Sequence, residues 1–265
     1  MDKSKKNATF YDNGVEIATQ EFNDKGMVMK TEGAIPDGVI HSYNDQGKIV
    51  AKWNYANNMP EGVLTEYFDD GTTKAACNFV QGKKDGLAKE FFAEGPLRLE
   101  EYYAEGALHG ISKEYYRSGK IKKMFNYQEG RPFGDGIGKT YYDDGGLKGK
   151  VLYNDGKPHG NATSYFPNGL IMNSYPYENG ILNGEVKEYD ENGIIKTIIP
   201  FNNGTIDGAF KTLYPDGRIE CEGLVEKGIL LDSKRFDEHG NLSISEKKYV
   251  PKRLQPFLDK TAPIA

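Results

Sequence analysis

The stretch Gly184–Gly208 reads GEVKEYDENGIIKTIIPFNNGTIDG, and its spacing decides the fold. Gly184 is followed after five residues by Tyr189, after four more by Gly193, then by Ile195 and Phe201. A link containing Gly204 leads to Gly208, where the pattern restarts. Working outward, the turn glycines Gly47, Gly71, Gly95, Gly119, Gly145, Gly169, Gly193, Gly217 and Gly240 form one series, mostly 24 residues apart. A second series, Gly38, Gly62, Gly86, Gly110, Gly136, Gly160, Gly184 and Gly208, runs nine residues ahead of it. A fixed period of this length marks a repeat architecture whose units stack on their neighbours.

With the first series as position zero, position −4 is Tyr43, Tyr67, Phe91, Tyr115, Tyr141, Tyr165, Tyr189 and Leu213. Position +2 is mostly aliphatic, as in Ile121, Ile171 and Ile195, and position +8 is mostly aromatic, as in Tyr103, Tyr177 and Phe201. Several glycines in each unit argue against helix, and the even offsets suit strands. Asp70-Gly71, Asn168-Gly169, Asn192-Gly193 and Asp216-Gly217 are hairpin-turn signals. A three-residue loop with glycine left-handed sets −4 opposite +2 and −5 opposite +3. It then pairs Tyr189 with Ile195, and Glu66, Glu90, Glu114 and Glu188 with Lys74, Arg98, Lys122 and Lys196. A two-residue loop loses both sets of favourable cross-strand pairs, each worth about 0.2–1 kcal/mol. The expected fold is all-β: an elongated, single-layer array of about nine antiparallel β-hairpin repeats. One face carries −4, +2 and +8, and a charged ladder faces water. Two strands per unit at about 4.8 Å give roughly 90 Å for nine units.

The period predicts an arm over residues 1–9, a degenerate capping repeat over 10–37, eight repeats over 38–228, a weakened ninth over 229–249, and a proline-containing cap or tail over 250–265. The link at residues 130–136 is two residues longer than the others and predicts a bend or protruding loop.

Composition narrows function. A formal net charge of −5 argues against a nucleic-acid surface. No apolar run suggests a leader or a bilayer span, so the expected location is cytoplasmic, or extracytoplasmic if a signal peptide has been removed. Cys77 and Cys221, 144 residues apart in an extended array, are expected as free thiols. The segment Gly134–Thr140 looks like a phosphate-binding loop, but Phe133 stands where that motif needs glycine. His109 and His159 share one link position two repeats apart, too far for a shared metal. No catalytic constellation can be singled out, so the chain is expected to be non-enzymatic, with no cofactor and no metal.

Position −6 is rich in lysine: Lys89, Lys113, Lys139, Lys187 and Lys211. By alternation it shares a face with Tyr67, Phe91, Tyr115, Tyr141, Tyr165 and Tyr189. One reading lays lysine stems along tyrosine rings in a self-sufficient sheet. The sharper reading is a Tyr/Lys groove that receives an acidic or extended partner.

The motif Gly-x-x-x-x-Tyr-x-x-x-Gly-x-Ile/Leu, at Gly110/Tyr115/Gly119/Ile121, Gly160/Tyr165/Gly169/Ile171 and Gly184/Tyr189/Gly193/Ile195, resembles the MORN-repeat family, in its bacterial variant form. The resemblance covers residues 38–242. It implies an interaction scaffold with a protein partner, in the bacterial variants an antitoxin or immunity-like protein that silences a toxin. The alternative it implies is a surface-attached scaffold that binds phospholipid.

Overall fold

A computed structural model describes residues 6–13, 15–23, 27–133, 137–245, 251 and 254. The described chain is all-β, with 26 antiparallel strands forming a hairpin array. It divides into two compact units, Met1–Pro132 and Phe133–Ala265.

The three-residue turn is built as its chemistry requires. At Asp190–Ile194 the Gly193 N–H donates to Asp190 O at 3.0 Å, and the Asp190 N–H donates to Ile194 O at 2.8 Å. Gly193 closes the loop at φ 83, a left-handed conformation that costs glycine nothing. The Asp190 carboxylate accepts the N–H groups of Asn192 and Ile194 at 2.9 and 2.8 Å. Those bonds hold its pKa below the usual carboxylate range, the Ile194 N–H first. Asp216 and Asp237 act similarly in later turns.

Position −4 faces +2 throughout, as in Tyr115↔Ile121 and Tyr189↔Ile195. Beyond that pair the register slips by one. Glu188 lies opposite Thr197, Glu114 opposite Lys123, and Glu66 opposite Ala75, so −5 faces +4 and not +3. The +3 residue is the extra residue of a β-bulge. Three of the expected ion pairs form all the same: Glu66–Lys74 at 3.6 Å, Glu114–Lys122 at 2.6 Å, and Glu90–Arg98.

The bulge corrects the expected faces, because one inserted residue reverses alternation on its strand. Positions −5 and −7 join +4, +6 and +8 on one face, here called inner. Positions −4 and −6 lie on the opposite, outer face. The +8 aromatics are therefore separated from the −4 tyrosines and form the core. In the second unit the inner face buries Val186, Ile199, Phe201, Phe210, Cys221 and Val225.

The segments between hairpins are hairpins too. Residues 57–58, 81–82, 105–106, 179–180, 203–204 and 227–228 form two-residue loops with both residues at positive φ, the type I′ arrangement. The link residue 20 positions earlier caps several of them: Asp37 accepts the Asn57 N–H at 2.8 Å and Glu61 the Gln81 N–H at 2.8 Å. The link glycine also reaches back, Gly204 N–H donating to Leu182 O at 2.8 Å. Each unit is thus a meander whose turns stack on those before.

At the N-terminus, β1 (Lys6–Asp12), β2 (Val15–Phe22) and β3 (Val28–Gly33) form a separate three-stranded sheet in the order β1-β2-β3. Part of the arm expected over residues 1–9, from Lys6 on, is therefore strand, and residues 1–5 lie outside the described chain. Phe22 faces Val28 as −4 faces +2 elsewhere. This sheet packs on the inner face of the first hairpins, burying Ala18, Ile35 and Tyr55 together. At the other end Leu254 is fully buried in the core of the second unit. Of the long link at 130–136, residues 134–136 lie outside the described residues, as does most of the tail expected over 250–265.

Candidate functional site

The first unit holds a cavity of about 1450 Å³ between the N-terminal sheet and the inner face of its hairpins. Its wall is aromatic. Trp53 lies 6.2 Å from Tyr55 and 6.1 Å from Phe79 by ring centroid, and Phe10 of β1 meets Tyr55 edge-on at 5.4 Å. The space exists because the inner positions between these rings are small: Ala75, Ala88 and Cys77 line it. Burial pushes the Cys77 thiol up, keeping it neutral, with the Lys84 charge acting weakly the other way.

One buried polar bridge seats the N-terminal sheet. The Tyr55 hydroxyl donates to Gln20 Oε1 at 3.0 Å, and Gln20 Nε2 donates to Asn58 O at 2.7 Å. Gln20 is almost wholly buried, so this satisfied network orients β2 over the hairpins. Charged groups mark the cavity's far end: Glu66 with Lys74, Glu90 with Arg98, and Glu101, which accepts the Tyr103 hydroxyl at 2.8 Å. The Lys84 ammonium sits 5.1 Å over the Tyr103 ring.

By alternation the Tyr/Lys set read from the sequence shares the outer face, though Lys89 and Phe91 also line the cavity. In the first unit Lys89 and Lys113 each lie opposite Glu100, and Lys113 reaches its carboxylate at 3.6 Å; Tyr67, Phe91 and Tyr115 alternate with them. In the second unit Lys139 lies opposite Lys150, whose ammonium is 5.9 Å from the Tyr165 ring centre. There Lys187 pairs with Glu185 at 3.0 Å, which raises its pKa, and Lys211 is opposite Glu222. Tyr141 and Tyr189 share this face. These residues are strand-face neighbours, and the +8 aromatics expected beside them are on the other side.

The sequence reading missed Trp53, Ala75 and Ala88, while Phe79 belongs to the +8 aromatics it did find. Their signal was a second parity class, positions −7, +4 and +6, which shows only when the bulge is counted. His109 is a link residue, its N–H donating to Tyr102 O at 2.8 Å, and His159 lies in the strand Lys157–Tyr165. Among the described residues no group of three His, Cys, Asp or Glu side chains can hold a metal. Lys139 and Thr140 lie in the strand Ile137–Tyr141, with no helix to seat a phosphate. Cys77 and Cys221 are both free and buried, and burial raises the Cys221 thiol to about 11.

No curated protein matches the chain. Among solved structures it is similar to the Photorhabdus luminescens Tc holotoxin pore carrying the mutation TccC3-D651A, at 9% identity and a TM-score of 0.20. That match covers 92% of this chain and 16% of the other, and at that score carries no argument. The family model of the MORN repeat variant matches residues 108–129, 134–155 and 182–203. MORN repeats are in general protein- and membrane-binding motifs. The matched segments carry the same 24-residue unit that recurs along the chain, and there the chain is similar to the MORN repeat variant.

Proposed function

We propose that the chain is a non-enzymatic binding protein that receives part of a protein partner in the cavity of its first unit. The observation that carries this is a cavity between two packed sheets whose wall includes Trp53, Tyr55 and Phe79, with Trp53 half-buried and the other two rings almost wholly buried behind it. Large rigid rings beside open volume give contact area at little entropic cost, the usual character of a binding hot spot. The resemblance to bacterial variant arrays points further, to a toxin as the partner and to neutralisation in the cytoplasm as the outcome.

A second reading rests on Lys139 lying directly opposite Lys150. Like charges in register repel, and this one basic pair, beside lysines that otherwise face Glu100, Glu185 and Glu222, suits an acidic partner or anionic lipid. One set of variants separates the two. A partner encoded beside this gene is purified and titrated against the full chain. Ala88→Arg should weaken binding at least about tenfold with the far-UV spectrum unchanged, and the triple variant Lys113→Glu, Lys139→Glu, Lys187→Glu should not. The reverse result moves the site to the outer face. Binding to anionic vesicles that weakens with salt supports the lipid reading.

A further inference from the structure

We propose that the free edge of β1 is a strand-addition site, which takes an extended segment of about six residues from the partner protein into the cavity. This rests on the cavity reading above and says what kind of chain enters it.

Among the described residues β1 pairs with β2 alone, in the register Lys6↔Phe22 to Asp12↔Val15. Its other edge carries a row of backbone N–H and C=O groups with no strand beside them. The cavity lies on that side. All of residues 7–12 line it, against Ile17 and Phe22 from β2 and nothing from β3. The contribution falls with distance from the β1 edge, so the open volume extends beyond that edge. A second edge borders the same space. The strand Gly38–Tyr43, which among the described residues pairs only with Ile49–Ala56, contributes residues 39–43 to the lining.

Edge strands are normally blunted by proline, lysine or a covering element. The strand reads KNATFYD, with no proline and its one lysine, Lys6, at the very start, so residues 7–12 carry neither. Six residues of strand span about 20 Å, which sets the length of a complementary segment. A volume of about 1450 Å³ exceeds the roughly 300–1,000 Å³ of ordinary small-molecule pockets. Only an extended polypeptide supplies donors and acceptors at strand spacing along such an edge. Its side chains then alternate, one set against Trp53, Leu64 and Phe79 and the other toward solvent. Main-chain bonds give the affinity, and the aromatic wall selects apolar residues at every second position.

The test uses the full chain and a displayed library of random octapeptides, with hits resynthesised and titrated by the emission of Trp53, the one tryptophan. Substituting β1 with proline could unfold its sheet, so the perturbation is placed on the peptide: each backbone amide is N-methylated in turn. Expected are hits that alternate apolar and polar residues and shift Trp53 emission. Methylation at alternate positions should cut affinity about tenfold, the equivalent of one well-placed hydrogen bond, while intervening positions stay unchanged. Hits that move Trp53 without that period-two pattern overturn strand addition and leave the cavity reading standing. Peptides that never move Trp53 overturn both. A concentration-dependent dimer in sedimentation, formed instead of the peptide complex, assigns the edge to a second copy and overturns the proposal.

Discussion

The inner faces of the two units are made from the same repeat in the same register, yet one is closed and the other open. In the second unit Phe210 and Val225 are fully buried, Val186 and Ile199 nearly so, and Leu254 arrives from the end of the chain to complete the packing. In the first unit Ala51, Leu64, Cys77 and Phe79 are buried, but Ala88 stands at −7 where the second unit has Val186 and Phe210, and Cys77 at +6 where it has Ile199; the covering element is the N-terminal sheet, which leaves a cavity. The lesson is that the conserved period builds a backbone only. Whether its inner face becomes core or site depends on residues between the consensus positions and on what the chain ends place over them.

Removing a large ring should affect the closed face most. Phe210→Ala is expected to cost about 3–5 kcal/mol in urea unfolding, and Phe79→Ala, beside existing space, clearly less. Equal losses would mean the cavity wall is packed as tightly as the core. Adding volume should show the same asymmetry. A Cβ on Gly223 would lie 2.4 Å from Asp232 O and 2.6 Å from Phe210 Cε1. Gly223→Ala should therefore reach the upper end of the ~1–3 kcal/mol overpacking range. Ala88→Val, pointing at open volume, should change the melting temperature little.

The cover of the open face can be loosened separately. Tyr55→Phe leaves Gln20 Oε1 without its buried donor, a loss of about 1–3 kcal/mol. Hydrogen exchange should then rise in β1–β3 while the second unit keeps its protection; an even rise in both would contradict the bridge. Smaller effects belong to the turns. Lys227 sits at φ 48 where Asn203 sits one repeat earlier, and Asn tolerates that conformation better. Lys227→Asn should stabilise by up to about 1 kcal/mol, read as a shift in the urea midpoint.

Acid should act on the three-residue turns. The carboxyls of Asp190 and Asp237 are lowered chiefly by backbone N–H donors, and that of Asp216 chiefly by Arg218. A depressed folded pKa contributes stability that is present above the unfolded value, near 3.9, and lost as pH falls through the folded value. Replacing all three by Asn should flatten the decline in stability below about pH 4. An unchanged acid limb would show that these turn carboxylates do not set it.

Much of this was legible in the chain itself. The 24-residue period, the left-handed glycine at Gly193 and the pairing of Tyr189 with Ile195 follow from contacts within a few residues, where backbone sterics and turn chemistry decide. Asn179-Gly180 and Asn203-Gly204 were equally legible as hairpin turns, though the link reading passed over them. Two things only the tertiary structure decided. The bulge at Lys196 reverses the face of half the hairpin, because stagger between strands depends on the pairing of both and not on either sequence. The covering of the inner faces, by β1–β3 in one unit and Leu254 in the other, depends on contacts between residues far apart in the chain, such as Gln20 with Tyr55. Local pattern therefore dictated the repeat, and long-range packing chose where the repeat stays open.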